Sequence, residues 1–204
     1  MTKKPMTERG RRSRDRIVES AADLVASRGV EGTGIDQVLA AAGASKSQLY
    51  HYFADKDDLI RAVIARRFEQ MIGAQSPLLT SLDSWQAIRQ WLDLWIDMSA
   101  QMGQAGCPIG TLASELAGRD EAARGDLAAC FATWESYLVD GLTRMAQRGD
   151  LSQDADPRHL TIALFASLQG GLLLAKTYRD GEPLRIALDA AYSHLLSFRT
   201  LRAD

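Results

Sequence analysis

Apolar residues recur at three- and four-residue spacing along almost the whole chain, and the breaks between these runs carry helix caps and stops. A first helix is expected over about residues 14–28, with Ile17, Ala21, Leu24 and Val25 as its apolar stripe and Gly29 as its end. Thr33 can cap a second, short helix whose apolar positions are Ile35, Val38, Leu39 and Ala42; Gly43 then supplies the left-handed exit. Ser45 opens a third, with Gln48 three residues on in a capping-box arrangement. Asp55 can cap a fourth, about 56–74, in which Leu59, Ile60, Val63, Ile64, Phe68 and Met71 face inward. Five more follow: about 84–102, one opened by Pro108, about 121–148, about 157–178 and about 182–198. The chain is therefore expected to be all-α, with about nine helices.

The last two helices are apolar around most of their circumference, so each must be covered on several sides. A subunit interface is the obvious place. Leu160, Leu164, Ala166, Ser167, Gly170 and Gly171 of one, with Leu188, Ala191 and Leu195 of the other, are the candidate contact residues. Two helices from each protomer would form an antiparallel four-helix bundle.

Two short helices across a three-residue turn make a helix-turn-helix, whose second helix enters the major groove and reads bases mainly with its N-terminal residues. That second helix is SKSQLYHY. The run T-x-I-D-Q-V…A-A-G-A-S-K-S-Q-L-Y-H-Y-F-x-D-K-D-D-L, within about residues 13–71, resembles the N-terminal domain of the TetR family of transcriptional regulators. The resemblance implies a three-helix DNA-binding domain joined by helix 4 to a helical ligand-binding and dimerisation domain. It also implies phosphate or sugar contacts at Tyr50 and His51. Two positions depart from the family's pattern. Gly34 stands where a second hydroxyl is common, and Ser47-Gln48 replace the commoner Gly-Thr.

Lys46, Ser47 and Gln48 lie in the exposed first turn of the reading helix and are the candidates for base-edge contact. Lys can donate to guanine O6/N7, and Gln can pair bidentately with adenine. Tyr50 can also touch a thymine methyl, while Tyr52, leaning inward, reads as packing. Lys56 and the backbone N–H groups at the helix start after Thr33 are candidate phosphate ligands. Domain limits of 1–57 and 58–204 follow, with residues 1–12 as a flexible basic arm.

Charge supports this division weakly. Residues 1–72 hold 13 Lys/Arg against 10 Asp/Glu, and the remainder 11 against 16, giving +3 and −5. Seven Lys/Arg and two acids lie between Lys3 and Arg16, either a DNA-contacting arm or a solvated tail. The polar N-terminus lacks the apolar segment of a signal peptide. The apolar uncharged run Leu160 to Ala175 is 16 residues and is short for a membrane span. Cys107 and Cys130 have neither metal-site nor disulfide-framework spacing, so a cytoplasmic protein without metal or cofactor is expected.

In the second domain, Trp91, Trp95, Met98, Met102 and Trp134 line faces that suit either a plastic apolar ligand pocket or plain core. Cys107, just before Pro108, lies at a helix N-terminus, which would lower a thiol's pKa and make it a candidate sensor; the alternative is a small buried hydrophobe. No Ser/His/Asp, His-rich or Gly-rich phosphate constellation supports an enzyme, the rival class. The reading that covers most residues is a homodimeric regulator bound to a near-palindromic double-stranded operator and released by a small apolar effector.

Overall fold

The computed structural model describes residues 7–103 and 106–200. Nine α-helices lie among them: α1 (Glu8–Arg28), α2 (Ile35–Ala42), α3 (Lys46–Tyr52), α4 (Lys56–Gln75), α5 (Trp85–Gln101), α6 (Pro108–Leu116), α7 (Glu121–Gln147), α8 (Pro157–Tyr178) and α9 (Glu182–Leu196). A 3₁₀ turn at Leu78–Ser81 and an isolated antiparallel bridge between Leu151 and Arg199 complete the regular structure of the described residues. The all-α expectation holds, the cap at Ser45 stands where the sequence puts it, and Ser84 and Asp156 cap α5 and α8.

Two helix starts differ. α1 begins at Glu8, because Thr7 Oγ1 accepts the Gly10 N–H at 3.2 Å and Glu8 pairs with Arg12 one turn on. Residues 8–12 of the expected flexible arm are therefore helical, while residues 1–6 of that arm lie outside the described residues. α2 is capped by Gly34, not Thr33.

The chain divides into two compact units, and not at the expected residue 57. The first comprises 1–70 with 112–128; the second comprises 71–111 with 129–204. The boundaries fall inside α4, α6 and α7.

In the first unit, α1, α2, α3 and the start of α4 close around Ile17, Val18, Ala21, Val38, Leu49, Phe53, Leu59 and Val63. Polar ties surround this core. Arg16 Nε caps the end of α2 by donating to Ala42 O at 2.7 Å. Arg66 and Gln70 of α4 both donate to Glu19 of α1, at 2.9 Å each. Those bonds, Arg66 first, hold the Glu19 carboxyl below its ordinary range. The tie is thus intact at neutral pH and weakens only as pH falls through that lowered value.

In the second unit α8 packs along α9, and Gly171 permits it: a Cβ there would stand 3.0 Å from Leu184 Cα. Gly141 of α7 is tighter still, since a Cβ would fall 1.9 Å from the Leu82 carbonyl oxygen. α8 has 22 residues and contains an 18-residue window of mean hydropathy 1.4, long and apolar enough by length and composition alone to cross a membrane, with 44% of that window buried. Its buried positions, Leu160, Leu164, Leu168 and Leu172 among them, belong to the unit's own core.

The core of this unit holds one polar side chain with an unusual set of partners. Gln75, fully buried, accepts the indole N–H groups of Trp91, Trp95 and Trp134 on Oε1, at 2.9, 3.1 and 3.1 Å. Its amide nitrogen donates to Met71 O at 2.8 Å. Indole is a donor only, so each ring needs an acceptor if it is to be buried. Replacing Gln75 by Leu removes the acceptor of all three. Gln75→Leu should lower unfolding free energy by about 2–5 kcal/mol, read as a lower urea midpoint by tryptophan fluorescence.

Candidate nucleic-acid interface

The head presents α3 between a glycine exit from α2 and two helix starts fixed by side chains. Gly43 (φ 56°, ψ 41°) ends α2 in the left-handed conformation, and Ala44 N donates back to Leu39 O at 3.0 Å. Ser45 Oγ accepts the Gln48 N–H at 3.2 Å, while Gln48 Oε1 accepts the Ser45 N–H at 2.8 Å. Asp55 and Asp58 repeat this arrangement at α4: Asp58 N donates to Asp55 Oδ1 at 2.8 Å, and Ala54 N to Asp58 Oδ2 at 3.1 Å.

Leu49 and Phe53 bury the inner face of α3, and Arg14 sits 5.1 Å over the Phe53 ring. Tyr52 packs against the same core, with His51 edge-on to it at 5.0 Å between ring centres. Lys46, Ser47, Gln48, Tyr50 and His51 are exposed together on the outer face, Tyr50 at 49%. This is the set needed for base and backbone contact from a helix lying in a groove.

The two remaining candidates differ from expectation. Thr33 is 2% exposed, and its hydroxyl donates to Gly29 O at 2.8 Å. Its side chain is committed to the turn, and α2 presents its first N–H groups from Gly34 onward instead. Lys56 is half-buried, with Nζ donating to Val30 O at 2.9 Å; a phosphate would have to be met by its other two protons. A residue that sequence reasoning passed over is Gln37. It is exposed at the start of α2, and its Oε1 accepts the Gly34 N–H at 3.0 Å. Its place three residues after the cap was the available signal.

In the second unit the structure brings Trp91, Trp95 and Trp134 together around Gln75. Phe165 stands 4.7 Å from Trp134 and 5.9 Å from Trp91 between ring centres. These three tryptophans are packed core. Met98 is half-buried, and Met102, at 54%, is exposed.

Cys107 is 4% exposed, and its Sγ accepts the Gly110 N–H at 3.3 Å, so the thiol caps α6. Burial pushes its pKa up, against the lowering expected from a helix N-terminus; hydrogen bonds from Gly110, Gln169 and Ile109 do not offset the lost solvent. Lys176 is exposed, with its stem against Gly106.

The candidate interface residues of α8 and α9 separate into two groups. Leu160, Leu164, Gly171, Leu188, Ala191 and Leu195 are buried within the chain itself, because these two helices cover one another first. Ala166 and Gly170 are exposed, Ser167 partly so.

A compact three-helix core that offers an exposed, polar second helix defines a helix-turn-helix DNA-binding protein. Residues 17–63 match the family model for bacterial regulatory proteins of the tetR family, and residues 84–190 match that for the LmrA/YxaF-like C-terminal domain of transcriptional regulators. The HTH-type transcriptional regulator YxaF of Bacillus subtilis (strain 168) is 31% identical over 188 residues, 88% of this chain and 92% of that protein. The HTH-type transcriptional repressor DhaR of Mycobacterium sp. (strain GP1) is 26% identical, covering 90% and 92%. A TetR-family regulator from Cytophaga hutchinsonii superposes with a TM-score of 0.85 at 16% identity, over 97% of this chain and all of the other. The chain belongs to the TetR family and is a DNA-binding transcriptional regulator.

The burial of Cys107 has a measurable consequence. In native protein at pH 7, iodoacetamide should label Cys107 at least about tenfold more slowly than in urea-unfolded protein, followed by mass spectrometry of the Cys107 peptide. Equal rates would mean an open thiol.

Proposed function

We propose that this regulator is a homodimeric cytoplasmic repressor that binds a near-palindromic operator and is released when a small apolar molecule occupies its C-terminal domain. The observation that carries the reading is the outer face of α3, where Lys46, Ser47, Gln48, Tyr50 and His51 are exposed on a helix whose other face is locked into the core. Lys46, Ser47 and Gln48 meet base edges; Tyr50, His51 and Lys56 meet the sugar-phosphate backbone, with the first N–H groups of α2 and the Gln37 amide beside them.

The dimer surface lies on the outward side of α8 and α9. Ile162, Ala166, Gly170 and Leu173 follow helical spacing along α8, flanked by Leu174 and Tyr178, with Ile186 and Ala190 on α9. Five of these, Ile162, Leu173, Leu174, Tyr178 and Ile186, are large exposed apolar side chains that a second copy would cover. Two α3 helices then occupy successive major grooves, which favours a target whose half-sites repeat at about one helical turn. The repressor DhaR among the relatives supports the sign of regulation. The effector needs to prefer the non-binding conformation by only about 1–3 kcal/mol.

Two measurements test this. Fluorescence anisotropy on labelled duplexes tiled across the DNA flanking the gene, at two salt concentrations, should show one segment bound tightly with a steep salt slope. Uniform weak binding to every segment and to sequences selected at random would sink the reading. Leu173→Arg should halve the mass seen by light scattering and weaken operator binding by about 100-fold, since each head then binds alone.

A further inference from the structure

We propose that Gln48 acts as a donor-only reader and selects guanine at one base pair of each half-site. The inference rests on the DNA-binding role given to α3 and goes on to name the base chemistry.

A glutamine amide usually has two interchangeable faces, because oxygen and nitrogen can exchange places by rotation. Here rotation is blocked by chemistry. The Ser45 N–H is a donor and can be met only by the amide oxygen, which it meets at 2.8 Å. The reciprocal bond, from Gln48 N to Ser45 Oγ at 3.2 Å, keeps the two residues in register. Gln48 is exposed, and with Oε1 drawn back onto the first turn of α3 it is the Nε2 donor that is left to meet DNA. The bidentate pair with adenine needs the oxygen on N6–H and the nitrogen on N7 together. Oε1 keeps a second lone pair, but the Ser45 N–H holds it back at the first turn, so carrying it out to N6–H would strain the cap of a helix only seven residues long. The NH₂ group that remains carries two protons and no acceptor. Its complement in the major groove is guanine, which offers two acceptors, O6 and N7; adenine sets its own N6 donor against Nε2, and cytosine offers only a donor. Lys46, two residues earlier and also donor-only, strengthens the demand for acceptors along this edge.

One substitution separates capping from reading. In Gln48→Glu one carboxylate oxygen can still accept the Ser45 N–H, as Glu does in many capping boxes, but the outward atom becomes an acceptor. Gln48→Met keeps the length of the side chain and removes both functions. Binding sites should be selected from random duplexes with wild type and both variants, with helicity and thermal melting checked in parallel. Wild type should fix G·C at one pair of each half-site by about tenfold. Gln48→Glu should exchange that guanine for cytosine, whose N4 donates, and leave the other pairs unchanged. Gln48→Met should show no preference there.

Adenine selected by wild type at the pair that Gln48→Glu alters would overturn the proposal, because the oxygen would then be reading. Identical sites from all three proteins would overturn it too, while leaving sequence-specific binding by α3 standing. No enriched sequence from any of the three would remove the regulator reading and this inference with it.

Discussion

The turn between α1 and α2 leaves a peptide that no helix can satisfy, and the first unit is built around meeting that need. Val30 N donates to Glu115 Oε2 at 2.7 Å, and Val30 O accepts from Lys56 Nζ at 2.9 Å. Thr33 turns its hydroxyl onto Gly29 O in the same turn. Glu115 lies on α6 and Lys56 opens α4, so two helices far apart in sequence are both fastened to one turn of the head. The Arg119–Glu31 pair adds a third link beside them. An unmet buried backbone group is costly, whereas an exposed ion pair contributes little, so the Val30 bonds set the position and the surface pair follows. The path of the chain into α2, and through the Gly43 turn into α3, is thereby fixed by side chains that touch no base.

That fastening explains which parts of the site could be read in the sequence and which could not. Ser45, Gln48 and Asp55 act on residues within four positions of themselves, and local spacing identifies them. Leu49 and Phe53 declare themselves by facing one stripe of neighbours. The commitments of the Thr33 hydroxyl to Gly29 O and of one Lys56 proton to Val30 O are hidden, because these partners lie in a turn tied to Glu115, 85 residues from Val30. No periodicity carries such information. The start of α1 is hidden for a simpler reason: a polar, basic stretch without an apolar stripe reads as tail, although Thr7 and Glu8 give it a cap and a first-turn acid.

The same limit applies in the second unit. A stripe of Trp and Met at helical spacing cannot say whether it faces a cavity or other side chains, and the deciding residue, Gln75, sits on a different helix. Its single oxygen takes three indole donors. With two lone pairs to offer, that oxygen holds the three rings in competition, and each ring orientation depends on the others. The separation of α8 and α9 into buried and exposed faces was likewise hidden. Both faces are apolar, and only mutual packing of the two helices shows which one is left outside. Of the two readings of Cys107, burial favours the small hydrophobe: the helix terminus favours thiolate, but loss of solvent outweighs it.

A helix of seven residues is too short to persist without its caps and its packing. α3 therefore cannot assign its side chains freely to DNA; some must hold the helix together first. Leu49 and Phe53 do so from the core side, and Ser45 with Gln48 from the N-terminal end, which is the end that meets the bases. A reading residue that is also a cap gives up conformational freedom and one of its hydrogen-bonding functions. What it gains is a fixed presentation of the other function before DNA arrives, so less ordering remains to be done on binding. Folding of the head and its choice of sequence are then coupled through one side chain. Where Ser47-Gln48 stand in place of the commoner Gly-Thr, that coupling is a property of this regulator's own reading helix.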